Sequence, residues 1–470
     1  MSKPYSMLRA KMKPAARKKA AEKTMHNSIR VSITLEGGMF MKLKNTLVGL
    51  LSVVTVCSFL SCNVLTQDNK AVQTKHEPIT QQLITMVEHN SEIKRMLINS
   101  IEIAKKNNPD KATNPAQTLE EYYIFADWAA KAMPWSILPN LPYSKLYDQI
   151  DQSLDYFYFI NDQPLPELKN KGYYNNSLQY HEPYRTWLIN FVKEWGIYLS
   201  KEGSWKDEYY KKALEDETFG LHKGWYEDPS KWKTFNDFFA RYLKSPDQRP
   251  IAFPSDPSIL SSPADSKPQG VWKIDKNSNI VHKTGITIKS NVFKSIAVLI
   301  GEGSAYKNKF ANGTLTHTFL DVNDYHRYHF PIGGTIKEVS IIQGDDAAGG
   351  ITTWDAKTKR YVLNANTPGW QNIETRGCVI IETEKYGLVA LLPIGMSQVS
   401  SVNYEDTVKV GNAVKKGDML GYFLFGGSDF VLLFQRNVDF KLTVPKESNG
   451  TYKHVLMGEE YGKLTMKKMN

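Results

Sequence analysis

The sequence predicts an α+β protein, an all-helical segment followed by a β-rich one. Three observations carry that expectation. Between about residues 81 and 249 apolar side chains recur at helical spacing. Beyond about residue 250, short runs of β-branched and aromatic residues alternate with Gly, Pro and Asp turns. With 470 residues, the chain is long enough for two sizeable cores.

Residues 1–40 hold nine Lys or Arg against two Asp or Glu. They read as a basic extension ahead of a true start at Met41 or Met39. Residues 41–61 read as an export signal. The stretch "MKLKNTLVGLLSVVTVCSFLSC" has a short basic start, an apolar run from Leu47 to Leu60 and a small residue before Cys62. That run is too short and wrongly flanked for a comfortable membrane span. Leu60-Ser61-Cys62 resembles a bacterial lipoprotein cleavage site, with Phe59 a loose match at the usual Leu position; a single signal-anchor helix is the alternative. Lipidation at Cys62 would make the protein an exported, membrane-anchored lipoprotein facing the periplasm.

The net charge of +10 is concentrated at this end: the first 61 residues contribute +9 and the body about +1. No electrostatic footprint for DNA or RNA is left. Of three cysteines, Cys57 lies in the signal, Cys62 is the lipidation candidate and Cys378 stands alone. Neither a disulfide framework nor a CxxC metal site is available.

Residues 62–80 are polar and read as a tether. In the helical segment, 81–249, "YRTWLINFVKEWGIYL" places Trp187, Leu188, Phe191, Val192, Trp195 and Leu199 on one face. Such a stripe is core far more often than a ligand box. "TFNDFFARYLK" repeats the logic. Thr234 and Asp237 can form a capping box, and Phe235, Phe238, Phe239, Tyr242 and Leu243 make the apolar face. "SPDQRP" ends it.

The β-rich segment, 250–470, contains the runs "SIAVLI", "IKEVSII", "CVIIETEKYGLVALLPIG", "YFLF" and "FVLLF". Three of its stretches are richer in reactive groups than a core needs. These are "SSPADSKPQG" with Asp265, "DYHRYHFPIGGTI" with His326 and His329, and the Gly426-Gly427-Ser428-Asp429 step between apolar runs. Taken alone, that step is good turn chemistry, and the histidines could be satisfied turn residues. A nucleophile elbow is disfavoured because Phe430 stands where its last Gly belongs. The HxxH pair lacks an HExxH helix or a thiolate pair, so no metal site is expected. No glycine pattern makes a phosphate cradle.

In combination, "FNDFFARYLKSPDQRPI", "SPAD", "DYHRYHFPIGGTI", "LPIGM" and "FGGSDFVLLF" resemble the phosphatidylserine decarboxylase family in order and rough spacing, over about residues 234–436. Residues 85–235 resemble the helical domain of a subgroup that includes soluble tryptophan decarboxylases. The resemblance implies a chain that breaks its own Gly427–Ser428 bond and converts Ser428 into a pyruvoyl cofactor. It maps the processing triad onto Asp265, His329 and Ser428, and a role in the substrate reaction onto His326. His326 is expected to donate a proton, since histidine ordinarily titrates near neutral pH. The two cleavage products are expected to stay associated.

The implied substrate is phosphatidylserine, converted to phosphatidylethanolamine, with a free aromatic amino acid such as tryptophan as the alternative. Two departures stand out: Ser266 replaces the usual Gly after the Asp of SPAD, and Asp429 replaces the usual Thr after the nucleophile. They sustain a rival reading, a lipid-anchored binding protein that keeps the β fold without chemistry.

Overall fold

A computed structural model of the chain describes residues 75–138, 141–281, 291–345, 350–396 and 401–468. The basic extension, the signal and Cys62 lie outside the described residues. Residues 72–470 form one compact unit.

The helical part comprises α1 (Pro78–His89), α2 (Ser91–Asn107), α3 (Leu119–Ala129), α4 (Leu146–Asn161), α5 (Tyr184–Leu199), α6 (Asp207–Glu215) and α7 (Phe235–Phe239). The stripe expected on α5 is buried in full, from Trp187 to Leu199. Each indole is also satisfied: Trp187 donates to the Ile79 carbonyl and Trp195 to that of Ala132. The capping box of Thr234 and Asp237 is present. The helix it starts is shorter than the periodicity predicts. It stops at Phe239, and Tyr242 is exposed. The reason is Arg241, whose buried guanidinium is held over the Tyr226 ring and donates to the carbonyls of Asn323 and Asp324. That placement turns the chain into a bridge between Leu243 and Tyr226.

Next come β1 (Ile259–Ser261) and β2 (Lys267–Lys273). "SIAVLI" then corrects a strand expectation, because Ile296–Ile300 forms a short helix, α8. A short apolar run does not distinguish strand from helix by period. Here the Ser295 side chain accepts from the Val298 N–H, and Gly301 ends the turn at φ +102°.

The remaining strands are β3 (Thr314–Leu320), β4 (Arg327–His329), β5 (Gly334–Ile342), β6 (Ile351–Asp355), β7 (Arg360–Asn364), β8 (Thr375–Thr383) and β9 (Gly387–Met396). They continue with β10 (Val402–Tyr404), β11 (Ala413–Val414), β12 (Met419–Phe423), β13 (Gly427–Phe434), β14 (Val438–Leu442) and β15 (Glu460–Met466). The main sheet has seven strands in the order β11-β5-β8-β9-β13-β3-β2, and every pairing in it is antiparallel. Because β13 lies between β9 and β3 and is buried on both faces, its sequence is apolar without alternation.

Strand parity divides the core. Phe430, Leu432 and Phe434 point to one face with Ala264, Leu320 and Tyr328, and Val431 and Leu433 to the other with Trp370 and Ile394. The helical core also reaches the β-rich part. Phe425 packs edge-on against Trp195, Phe235 and Phe239, two residues before the Gly427–Ser428 bond.

Candidate active site

The Gly-Gly-Ser-Asp step is not the turn that its composition suggests. The connection from β12 to β13 falls on Leu424–Gly426, and Gly427, Ser428 and Asp429 are already strand. Gly426 has φ +149°, which suits glycine. Ser428 pairs with Leu320 of β3 and Gly395 of β9. Parity places its side chain on the Ala264 and Tyr328 face, the one that also carries the SPAD turn and β4. The hydroxyl is fully buried and has no hydrogen-bond partner among the described residues. A Cβ at Gly427 would lie 2.7 Å from Met396 Cγ, so a larger residue there requires the Met396 side chain to move. A buried, unpaired hydroxyl directly after a glycine suits self-processing into a pyruvoyl group.

Asp265 and His329 are brought to adjacent segments, since the His329 N–H donates to the Pro263 carbonyl at 2.8 Å. They do not bond to each other or to Ser428. The Arg249 guanidinium holds both oxygens of Asp265, Nε to Oδ1 at 2.9 Å and Nη2 to Oδ2 at 2.6 Å. The Met457 N–H adds a third bond at 2.7 Å. His329 Nδ1 lies 2.8 Å from the Gly417 carbonyl, so it carries the proton. Its Nε2, 3.2 Å from the Tyr325 hydroxyl, is then the acceptor. Burial lowers the His329 pKa to about 4, against smaller opposing effects of the Gly417 carbonyl and the Asp265 charge. The ring is therefore neutral near pH 7, the form a base requires.

His326 departs from the sequence expectation that it titrates near neutrality. Burial, and secondarily the Arg241 charge, push it well below the usual histidine range. Its ring stacks on Phe239 at 3.7 Å between centroids, and neither nitrogen makes a hydrogen bond of good geometry. Standing protonation has no support there; the neutral ring can still offer an N–H.

Asp429 is accounted for by a partner that sequence reading missed. On the opposite face of β13 from Ser428, it lies 3.0 Å from His317 Nδ1 and accepts from Gln371 Nε2 at 2.9 Å. His317, which stacks on Trp272, is set in β3 within "TLTHTFL". A histidine at a fully buried strand position was the available signal. Ser266 is likewise satisfied, receiving the Thr318 hydroxyl at 2.7 Å.

Gly427 lies in the wall of a cavity of about 310 Å³. The cavity is also lined by Asp151 and Asp155 of α4, Asp321 after β3, Thr352 of β6 and Tyr158. No Lys or Arg is among the described lining residues. Burial first, then mutual repulsion, raises the Asp151 pKa to about 7 and that of Asp155 well above the carboxylate range. Asp321 rises to about 6, by burial and then by the Asp324 charge. None of these residues was singled out from sequence. The helical segment thus contributes to the wall around the scissile bond.

A family model described as phosphatidylserine decarboxylase matches residues 235–463. Similar proteins include the phosphatidylserine decarboxylase proenzyme of Fusobacterium nucleatum, 31% identical over 280 residues, covering 58% of this chain and 77% of that protein. That of Clostridium botulinum is 30% identical over 281 residues, covering 58% of this chain and 84% of its own. Decarboxylase iboD of Amanita muscaria is 28% identical over 277 residues, covering 53% and 77%. Fold, site and these likenesses define an enzyme of the carboxy-lyase class. The chain belongs to the phosphatidylserine decarboxylase family.

Proposed function

We propose that this chain is a self-processing decarboxylase, cut between Gly427 and Ser428, that acts on a free α-amino acid. The observation that supports processing is the buried, unpartnered Ser428 hydroxyl beside a glycine in the cavity wall. In this reading Ser428 Oγ adds to the Gly427 carbonyl carbon. The C–N bond breaks, and the nitrogen, which keeps its own hydrogen, takes the proton given up by the hydroxyl. Removal of the Ser428 Cα proton then expels Gly427 as a carboxylate. Water enters at that carbon and ammonia leaves, so Ser428 becomes the pyruvoyl end of the new chain. Neutral His329 is the base, freed by a shift of Tyr325, and Asp265 supplies charge that favours its protonated form.

The pyruvoyl group supplies a carbonyl that takes the substrate amine and withdraws the electrons left when CO2 departs. Phe239 and Phe425 pack against each other beside the segment that leads into Ser428, and His326, stacked on Phe239, is the proton donor in this reading. The two products stay together as neighbouring segments of one sheet system. For the substrate, a cavity lined by carboxylates favours a free amino acid over a phosphodiester. Phosphatidylserine is the second reading, favoured by the names of the relatives.

Two histidine substitutions test the division of labour. On a denaturing gel, His329→Ala stays one chain, whereas His326→Ala separates into two and releases CO2 at least tenfold more slowly. Equal loss of cutting in both would refute it.

Export with a lipid on Cys62 belongs to the same proposal and rests on the signal-like 41–61 stretch. Several acyl chains hold a protein firmly where one does not. In a bacterial host given labelled fatty acid, the wild-type chain takes up label in the membrane fraction and Cys62→Ser takes up none. An unlabelled wild-type chain in that fraction would point to a signal-anchor helix instead.

A further inference from the structure

The decarboxylase reading underlies this inference, which narrows the substrate. We propose that the cavity at Gly427 takes a free amino acid whose side chain ends in a cation, held by Asp155 and Asp321. Asp155 is only 6% exposed, faces the cavity, and its carboxylate has no hydrogen bond or ion pair among the described residues. Thr352 Oγ1, in the same wall, is also buried without a partner among the described residues. A buried carboxylate and a buried hydroxyl with nothing to bind are costly unless a ligand completes them.

Neighbouring cations are already engaged. Arg360 of β7 donates to Asp148 at 2.7 Å and reaches Asp151 at 3.4 Å. His454 is bound to Asp324 at 2.7 Å. Asp321 accepts from the Tyr147 hydroxyl and the Val322 N–H, both neutral donors. Among the described residues neither Asp155 nor Asp321 makes a direct ion pair, and Arg360 and His454 act on them only from a distance, each held by a partner of its own. Register places Asp321 next to Leu320, the partner of Ser428, so its backbone lies beside the scissile bond.

Burial and the neighbouring carboxylates favour a protonated Asp155 in the empty cavity, and a ligand cation, unlike a neutral side chain, draws that proton off and pairs with the carboxylate it leaves. A phosphodiester would add a like charge. Aromatic residues in the wall, Tyr158 and Tyr361, suit a cation as well as an aliphatic stem. The cavity volume is at the lower end for small-molecule sites, which suits an amino acid.

The uncut Ser428→Ala full chain allows binding to be read without turnover. In calorimetric titration L-lysine binds this protein, and L-norleucine, which has the same carbon chain without the terminal amine, binds at least tenfold more weakly. Asp155→Asn weakens L-lysine at least tenfold and leaves L-norleucine unchanged. Equal binding of the two amino acids overturns the proposal. So does an Asp155→Asn protein that is folded by circular dichroism and binds L-lysine normally. CO2 release by the wild-type protein, from carboxyl-labelled L-lysine, L-ornithine, L-tryptophan and phosphatidylserine micelles, separates the two levels. Turnover of L-lysine or L-ornithine above the others is the expected result. Turnover of tryptophan or phosphatidylserine alone overturns this inference and keeps the decarboxylase. An uncut wild-type chain with no CO2 from any substrate overturns both.

Discussion

Ser428→Ala runs as one uncut chain on a denaturing gel, while the wild-type protein separates into a chain ending at Gly427 and one beginning at residue 428. The variant removes a single oxygen at a position that is fully buried and where Oγ bonds to nothing among the described residues. Losing it therefore leaves no orphaned partner, and the change in folding stability is small, within about 1 kcal/mol. Its effect on chemistry is complete, because no other atom at this position can add to the Gly427 carbonyl. Intact mass and a carbonyl-reactive probe give two further readouts. The variant keeps the full mass and binds no probe; the wild type shows two masses, and the smaller chain takes the probe. An uncut wild-type chain that still releases CO2 would remove Ser428 from the mechanism. A cut in Ser428→Ala at the same bond would do so equally.

Much of this architecture is legible in the sequence because its signals are local. The α5 stripe from Trp187 to Leu199 and the capping box at Thr234 follow from spacing alone. So does the strand character of β8, β9 and β13. What sequence misreads are places where a distant partner decides. "SIAVLI" becomes helix through the Ser295 cap. The Thr234 helix ends early because Arg241 reaches two carbonyls more than 80 positions away in sequence.

The same holds for the candidate site. Asp265, His326, His329 and Ser428 are conspicuous as residue types, but their hydrogen bonds are set by Arg249, Gly417 and Tyr325. The acidic wall was invisible in advance because Asp151 and Asp155 belong to a helix, while Asp321 follows a strand some 170 positions on. Nothing short of the fold puts them together. Asp429, a departure that raised the prospect of an inactive relative, proves to be a hydrogen-bonded neighbour of His317.

Arg249→Met destabilises the folded chain by about 3–5 kcal/mol, the usual effect of leaving one member of a buried ion pair unpaired. Both side chains are almost completely buried, at 1% and 4% exposure, so bulk water screens the unpaired charge little. Among the described residues the Met457 N–H would still bond to the Asp265 carboxylate, and His454 would act on it from a distance. Urea unfolding measures the loss as a lower midpoint with unchanged slope. Asp265→Asn is destabilising as well, since it leaves the guanidinium without its counter-charge. Loss of processing in either single variant would therefore be ambiguous between folding and chemistry. The double variant Arg249→Met/Asp265→Leu resolves this. With both charges gone and apolar groups of similar length in place, most of the stability returns, because two well-packed apolar residues can replace a buried pair. If Asp265 acts on His329 through its charge, that stable double variant still fails to cut at Gly427–Ser428. A double variant that regains its urea midpoint and also regains cutting would reduce Asp265 to a partner that keeps Arg249 in the core.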